Sequence, residues 1–388
     1  LPERVRLTPI DGLRGLAAFF VVISHVYQGA NYPSIAFGPF YNAVDIMRSG
    51  VDLFFVLSGF CLFWPLTKPG SRPNWREFFR RRALRLGPPY YATIVAVTVA
   101  PFLVVPVARA LGFPVMSPWL PTARDLWTHL LIVHTLFFDT FFNLDGPLWS
   151  LGLEVQFYLA FPIAVWLISR FGWRGAAGIA LFTLGYRIVV NSPTVHAWTW
   201  PVDVIDLFPS RWMEFVLGML VASYVRRTGE RTISPLREAT DLGGIVALFV
   251  IASFYLYGPA AAWAYPHKDL LFAGVYALVL LVVLANGSLV GRFLSHPVLV
   301  WLGTVSYSLY LIHLPILWAL KTVVLAYFPN QVVDFAVLAA IGIPICLVSA
   351  QLFWYVFERP FLRRYAQAPR AAPVPARSSA PLKRRTAP

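Results

Sequence analysis

Charge is scarce in this sequence. Asp, Glu, Lys and Arg make up 13% of its 388 residues, about half the share of an ordinary soluble domain. The mean hydropathy is positive, at +0.64. Together these exclude a soluble globular fold. Cysteine is nearly absent. Cys61 and Cys346 are the only two, and both fall inside apolar stretches, which argues against a disulfide framework and leaves them as small packing residues. No internal repeat is visible. The first apolar segment has no small-residue cleavage site and is polar in its middle, so it reads as a spanning helix rather than a signal peptide. Acidic residues are outnumbered 18 to 32 by basic ones, for a net charge of +14. Such a balance would suit a nucleic-acid binder, but the distribution of the basic residues says otherwise.

What the sequence has in place of charge is a succession of apolar stretches of about 20 residues, broken by short basic loops, the pattern of a polytopic membrane protein. Hydropathy places ten spans, at 12–31, 49–67, 88–108, 147–169, 175–190, 206–226, 241–258, 269–286, 301–327 and 331–357, so the expected fold is an all-α transmembrane helix bundle. The stretch LWTHLLIVHTLFFDTFF, 126–142, is apolar but short and carries two histidines. It reads as interfacial or re-entrant, because if it spanned, every later helix would invert. The Lys and Arg residues support that choice: 25 of the 32 lie on the N-terminal side of the membrane, 4 on the other side and 3 within spans. By the positive-inside rule both termini are cytoplasmic, and no nucleic-acid partner is implied. The chain divides into a cytoplasmic N-terminus at 1–11, a membrane domain at 12–358 and a basic Pro- and Ala-rich tail at 359–388. The tail has almost nothing to bury and reads as disordered, its basic end suited to anionic lipid.

Against this apolar background the ionisable residues inside spans stand out. Arg14 and His25 are eleven residues apart, three helical turns plus roughly 20°, so they share one face about 16 Å apart along the axis. Two readings stand: a headgroup anchor with a helix-to-helix hydrogen bond, or a site. Depth favours the second. Asp52, Glu154, Arg211 and Glu214 lie in the outer half of their spans, as His25 does, and the five could open on one polar cavity. Ion pairing alone would still account for Arg211 with Glu214. On the opposite side, Arg82 and Arg85 lie three apart just before the third span, with Arg76, Arg80 and Arg81 nearby, a guanidinium cluster suited to phosphate groups. Aligned with Arg14, it suggests a phosphorylated ligand at the cytoplasmic face whose reactive arm threads inward to His25.

In this combination the sequence resembles the acyltransferase-3 family of integral membrane O-acyltransferases. The stretches that carry the resemblance are IDGLRGLAAFFVVISH, SGVDLFFVLSGF, FFRRRALRLGPPYY, LWSLGLEVQFYLAFP, RWMEFVLGML, LGTVSYSLYLIHLPI and FERPF, in order from residue 10 to 361. The resemblance implies an active site at Arg14 and His25, an acyl-CoA-handling pair at Arg82 and Arg85, a catalytic or structural carboxylate at Glu154, and family positions at Ser58, Gly59 and Phe60. The ninth-span pattern lands on Ser306, Tyr307, Tyr310 and His313. For His313, mid-membrane in this topology, a helix-to-helix hydrogen bond is the better reading. Gly87 in LGPPYY stands where a larger apolar residue is expected and leaves the local helix start open. The chain looks like a stand-alone member of the family.

The expected reaction follows. Acyl-CoA, acetyl-CoA by default, is a co-substrate rather than a covalent cofactor, and Arg14, Arg82, Arg85 and Ser58 bind it. His25 takes the proton of an acceptor hydroxyl, with Glu154 or Asp52 orienting the imidazole. A variant has His25 carry the acyl group covalently. Arg211, Glu214, Tyr307, Tyr310 and His313 are acceptor-site or structural residues. A proton-coupled transporter is the alternative, since intramembrane His, Asp and Glu also build proton relays, though inverted repeats are not convincing here. A polyprenyl-linked glycosyltransferase would need acidic metal-binding motifs that the sequence lacks. No metal site is expected: His129 and His134 are five apart, off the i,i+4 spacing of helical zinc pairs.

Overall fold

A computed structural model of the chain describes residues 7–30, 44, 46–112, 120–192, 207–229, 232–257, 268–327 and 330–362. Its elements are helices: α1 (Thr8–Gly29), α2 (Gly50–Phe63, extended by a 3-10 turn, Trp64–Thr67), α3 (Trp75–Ala110), α4 (Ala123–Leu130), α5 (Leu148–Phe171), α6 (Trp173–Val190), α7 (Phe208–Thr228), α8 (Pro235–Tyr257), α9 (Lys268–Val283), α10 (Leu289–Leu294) and α11 (Pro297–Tyr327). The last, α12 (Gln331–Leu362), is continuous through two π-type turns. Among the described residues there is no strand, only an isolated bridge between Thr232 and Asn286. The protein is an all-α membrane bundle. Each of the ten stretches expected to span falls on a helix. Among the described residues, six helices (α1, α2 with its 3-10 extension, α3, α5, α11 and α12) are long and apolar enough to cross a bilayer by length and composition.

Segment 126–142 does not cross. α4 has eight residues, about 12 Å of helix against a hydrocarbon core of about 30 Å. A capping box between Thr122 and Asp125 starts it. Turns then run to Pro147, including left-handed backbone at Ile132 (φ 58°) and Leu144 (φ 63°). α3 is longer than expected. Asn74 caps it by accepting from the Glu77 amide, and the helix runs through Gly87, Pro88 and Pro89, so the Arg cluster and the third span belong to one rod. Its far half carries exposed Val95, Val99, Phe102, Leu103, Val104 and Val107, a lipid-facing surface. The expected tail falls mostly outside the described residues; within them, α12 continues to Leu362.

Two close helix crossings hold the bundle. α1 packs most extensively on α11, and α2 on α7. At the first, a Cβ on Gly15 would overlap the Leu299 carbonyl and one on Gly303 the Asp11 carbonyl. At the second, Cβ atoms on Gly59 and Gly218 would strike the carbonyls of Phe215 and Val56. Lipid supplies no hydrophobic force between helices, so small residues that let backbones touch provide the packing contacts instead. These crossings fix α1, which carries Arg14 and His25, against α11, which carries Ser306, Tyr307, Tyr310 and His313.

Candidate active site

A cavity of about 100 Å³ lies between α1, α2, α3, α5 and α11. Arg14 comes from α1, Ser58 and Cys61 from α2, Arg82 and Arg85 from α3, Glu154 and Tyr158 from α5, and Ser306, Tyr307 and Tyr310 from α11. The basic cluster of α3 is split by helical geometry. Arg80 and Arg81 turn outward onto Glu77, at 2.8 and 2.6 Å, and these bonds, Arg80 first, hold the Glu77 carboxyl down at about 2. Arg82 and Arg85 turn inward. The Arg82 guanidinium stands 5.9 Å from the centroids of both Phe78 and Tyr158, and its Nε is buried without a hydrogen-bond partner. Neither Arg14 nor Arg85 has a hydrogen bond or ion pair among the described residues. Arg85 has Glu358 and Glu154 as its facing carboxylates; Glu358 accepts a 2.8 Å bond from Ser308. Glu154 accepts from Ser58 at 3.2 Å and from the Tyr158 hydroxyl.

Tyr310 closes the cavity on the side away from the basic cluster. Its hydroxyl is 2.7 Å from Ser150 Oγ, its ring meets Phe54 edge-on with centroids 5.9 Å apart, and the His313 ring lies 5.9 Å beyond it. There His25 and His313 pair, Nδ1 of His25 lying 3.0 Å from Nε2 of His313. His313 is fully buried. Tyr307 spends its hydroxyl on the Leu86 carbonyl at 2.9 Å, which ties α11 to α3.

The five groups expected around one outer cavity therefore divide. Glu154 lines the cavity and His25 sits beyond Tyr310. Asp52, Arg211 and Glu214 lie in a separate buried ion cluster. Arg211 bonds Asp52, holds Glu214 at 2.6 Å and reaches Asp269 at 3.4 Å. Arg187 reaches Asp269 at 3.3 Å and donates to the Ser210 carbonyl at 2.9 Å. Phe55 and Trp149 flank the Arg211 guanidinium at 5.4 and 5.5 Å. The role expected of Asp52 is to orient His25; in the structure it is engaged by Arg211, and His25 pairs with His313. The other expected orienter, Glu154, is bonded to Ser58 and Tyr158. Ion pairing is what Arg211 and Glu214 do here, and the helix-to-helix bond is what His313 makes.

Sequence reasoning passed over several residues of this arrangement. Arg187 and Asp269 are intramembrane charges at the same depth as Asp52, and the depth argument applied to the other five would have found them. Glu358 sat in the quoted FERPF stretch without a role. Cys346 is buried as expected, but Cys61 is exposed to the cavity rather than packed away; periodicity does not say which helix faces it.

A family model described as an acyltransferase domain matches residues 8–354. The acyltransferase MdmB of Streptomyces mycarofaciens is 28% identical, over 98% of this chain and 98% of its own length. The putative peptidoglycan O-acetyltransferase YrhL of Bacillus subtilis is 29% identical over 90% of this chain and 54% of its own. The O-acetyltransferase OatA of Staphylococcus aureus is 26% identical over 80% of this chain and 50% of its own. This chain thus spans about half the length of the last two. No solved structure matches. With nearly every site-bearing helix inside the matched span, the chain belongs to the acyltransferase-3 family of membrane acyltransferases.

Proposed function

We propose that the chain moves a short acyl group, acetyl in the simplest case, from acyl-CoA at the cytoplasmic face of the cell membrane to a hydroxyl of a sugar, glycan, lipid-linked or small-molecule acceptor. One observation carries the donor. Arg14, Arg82 and Arg85 converge on one cavity without an ion pair, whereas Arg187 and Arg211 are met by carboxylates. Half-buried guanidiniums that line a cavity without an ion pair suit an anion, and the cavity has room for a phosphate-sized group. Arg14 and His25 on one helix set a distance of about 16 Å between that anion and a base, which a phosphate-linked thioester arm passing beside Tyr310 can bridge.

In the reaction, His25 takes the proton of the acceptor hydroxyl as its oxygen bonds to the thioester carbonyl carbon. The carbon–sulfur bond then breaks, and the departing thiolate takes the proton back from the imidazolium. The products are an ester and a free thiol. Ser58, Tyr158 and Glu154 form the polar wall along the arm.

The test is thiol release from acetyl-CoA by the purified protein, with water as acceptor. His25→Ala is expected to lower turnover by about 10²–10⁴, the usual worth of a general base. Arg85→Ala is expected to raise the half-saturating acetyl-CoA concentration by about 10- to 100-fold, the loss of charge-assisted bonds worth ~1.5–3 kcal/mol. If the wild type neither binds nor cleaves acetyl- or longer acyl-CoA, the reading fails, and proton flux in liposomes becomes the assay for the transport alternative.

A further inference from the structure

The two ring nitrogens of His25 are not equivalent, and His313 distinguishes them. Nδ1 of His313 lies 3.1 Å from the Leu309 carbonyl oxygen and 2.9 Å from that of Tyr310. A carbonyl oxygen only accepts, so Nδ1 of His313 carries the hydrogen. A neutral imidazole has one N–H and one lone pair, which leaves the lone pair of His313 on Nε2. That atom faces Nδ1 of His25 at 3.0 Å. For the contact to be a hydrogen bond, Nδ1 of His25 must donate, and the lone pair of His25 then falls on Nε2. The tautomer of a histidine is set in this way by the bond its other nitrogen makes.

We infer that His313 is the positioning residue that holds His25 in a single tautomer and orientation, proton on Nδ1 and lone pair on Nε2, so that Nε2 is the reactive atom. This rests on the acyl-transfer reading above and goes beyond it by naming the atom and what fixes it. The chain of donors is one-directional: His25 Nδ1–H to His313 Nε2, with the Val21 carbonyl of α1 as a second acceptor beside the His25 ring, and His313 Nδ1–H to the backbone of α11. When His25 Nε2 takes the acceptor's proton, Nδ1 keeps its own and its bond to His313, and no proton passes through His313. If His25 instead carries the acyl group, the same Nε2 forms the new bond.

The pair is anchored. α11 is fixed to α1 at Gly303, and burial of His313 leaves its ring no competing water. The rings lie 4.9 Å apart and tilted by 48°, so the contact is edge-directed rather than a stack.

The experiment replaces His313 with three residues and reads thiol release from acetyl-CoA beside His25→Ala. A Gln side chain carries its amide oxygen to the place of Nε2, whereas Asn reaches only that of Nδ1. His313→Leu and His313→Asn should lower turnover by about 10- to 1000-fold, as loss of an orienting partner does in other histidine-based sites, with half-saturation by acetyl-CoA unchanged. His313→Gln should recover most of the rate. Wild-type turnover in His313→Leu overturns the inference, and so does equal loss in the Gln and Leu proteins when both melt like the wild type. If the wild type releases no thiol, or the variants do not fold, the ¹⁵N spectrum of histidine-labelled wild-type protein in lipid still decides it. With His25 assigned by its absence in His25→Ala, a protonated Nδ1 and a bare Nε2 support the assignment; a protonated Nε2 refutes it. A silent wild type with the Nδ1–H tautomer would show that the acyl-transfer reading, and not the geometry, had failed.

Discussion

Asp52→Asn separates a structural carboxylate from a catalytic one. Asp52 is buried and bonded to Arg211, which also holds Glu214 at 2.6 Å and reaches Asp269 at 3.4 Å. Asn keeps an oxygen in place to accept from Arg211 and removes one negative charge. A pair of unit charges 4 Å apart is worth about 4 kcal/mol at an effective dielectric constant of 20. Repulsion from two neighbouring carboxylates and the cost of desolvating Asp52 oppose that attraction, so the net loss should be about 1–2 kcal/mol. Arg211→Met is different in kind. It leaves Asp52 and Glu214 without an ion-pair partner at all, at a cost of about 3–5 kcal/mol. Thermal unfolding in detergent should therefore show a small downward shift for the first protein and a large one for the second. Thiol release by folded Asp52→Asn should stay within about threefold of wild type, against the 10²–10⁴ expected for a lost base. A folded Asp52→Asn protein that has lost turnover 100-fold would refute this division. So would an Arg211→Met protein as stable as wild type, because the cluster could not then be what fastens α2, α6, α7 and α9.

Two further outcomes are expected. Cys61 faces the anion cavity while Cys346 is buried, so N-ethylmaleimide should label one site, acyl-CoA should protect it, and Cys61→Ser should abolish the label; unprotected labelling at saturating acetyl-CoA would place the donor elsewhere. Between α3 and α5, His129 and His134 stack with centroids 4.1 Å apart, His129 bonded to the Asp125 carbonyl and His134 to that of Leu148. Burial pushes both imidazoles down, His134 to about 3. The unfolded loop therefore binds protons that the folded loop does not between about pH 6.5 and pH 3, and stability falls as pH drops through that window. At pH 5.5 the loss is about 1.4 kcal/mol for His134. Hydrogen exchange in 123–147, corrected for intrinsic rate, should quicken at pH 5.5 relative to 7.5; equal protection at both would contradict it.

Hydropathy located the helices well because lipid leaves a chain little choice: a backbone in hydrocarbon must satisfy its own hydrogen bonds, so a long apolar stretch becomes a helix. The same logic rejected 126–142 as a span, which the eight-residue α4 bears out. That ionisable residues face into the bundle was legible too: Asp52, Arg211 and Glu214 are buried in it and Glu154 lines its cavity. Lateral neighbours were not. The sequence position of His25 fixes its height and face on α1, but its partner lies 288 residues away on α11. The glycine contacts at Gly15 and Gly303, invisible as a pattern in one sequence, bring those faces together. The four groups expected beside His25 consequently looked like one cavity and are two environments.

Those environments differ in whether the cations are matched. Arg187 and Arg211 are surrounded by Asp52, Glu214 and Asp269, with aromatic faces on Arg211, and nothing in that cluster needs a ligand. Arg14, Arg82 and Arg85 have the cavity wall of Ser58, Tyr158 and Tyr307, with Glu154 and Glu358 near Arg85 but at no ion-pair distance. Arg187 and Arg211 are buried and matched, as a buried charge must be; Arg14, Arg82 and Arg85 are half-buried around the cavity and stay open to an anion. α1 connects the open cations to His25, and α11 supplies both the Tyr310 boundary and the His313 contact. On the proposed reading, anion, arm and base are set along two helices whose backbones touch, so their spacing is fixed by packing rather than by loops.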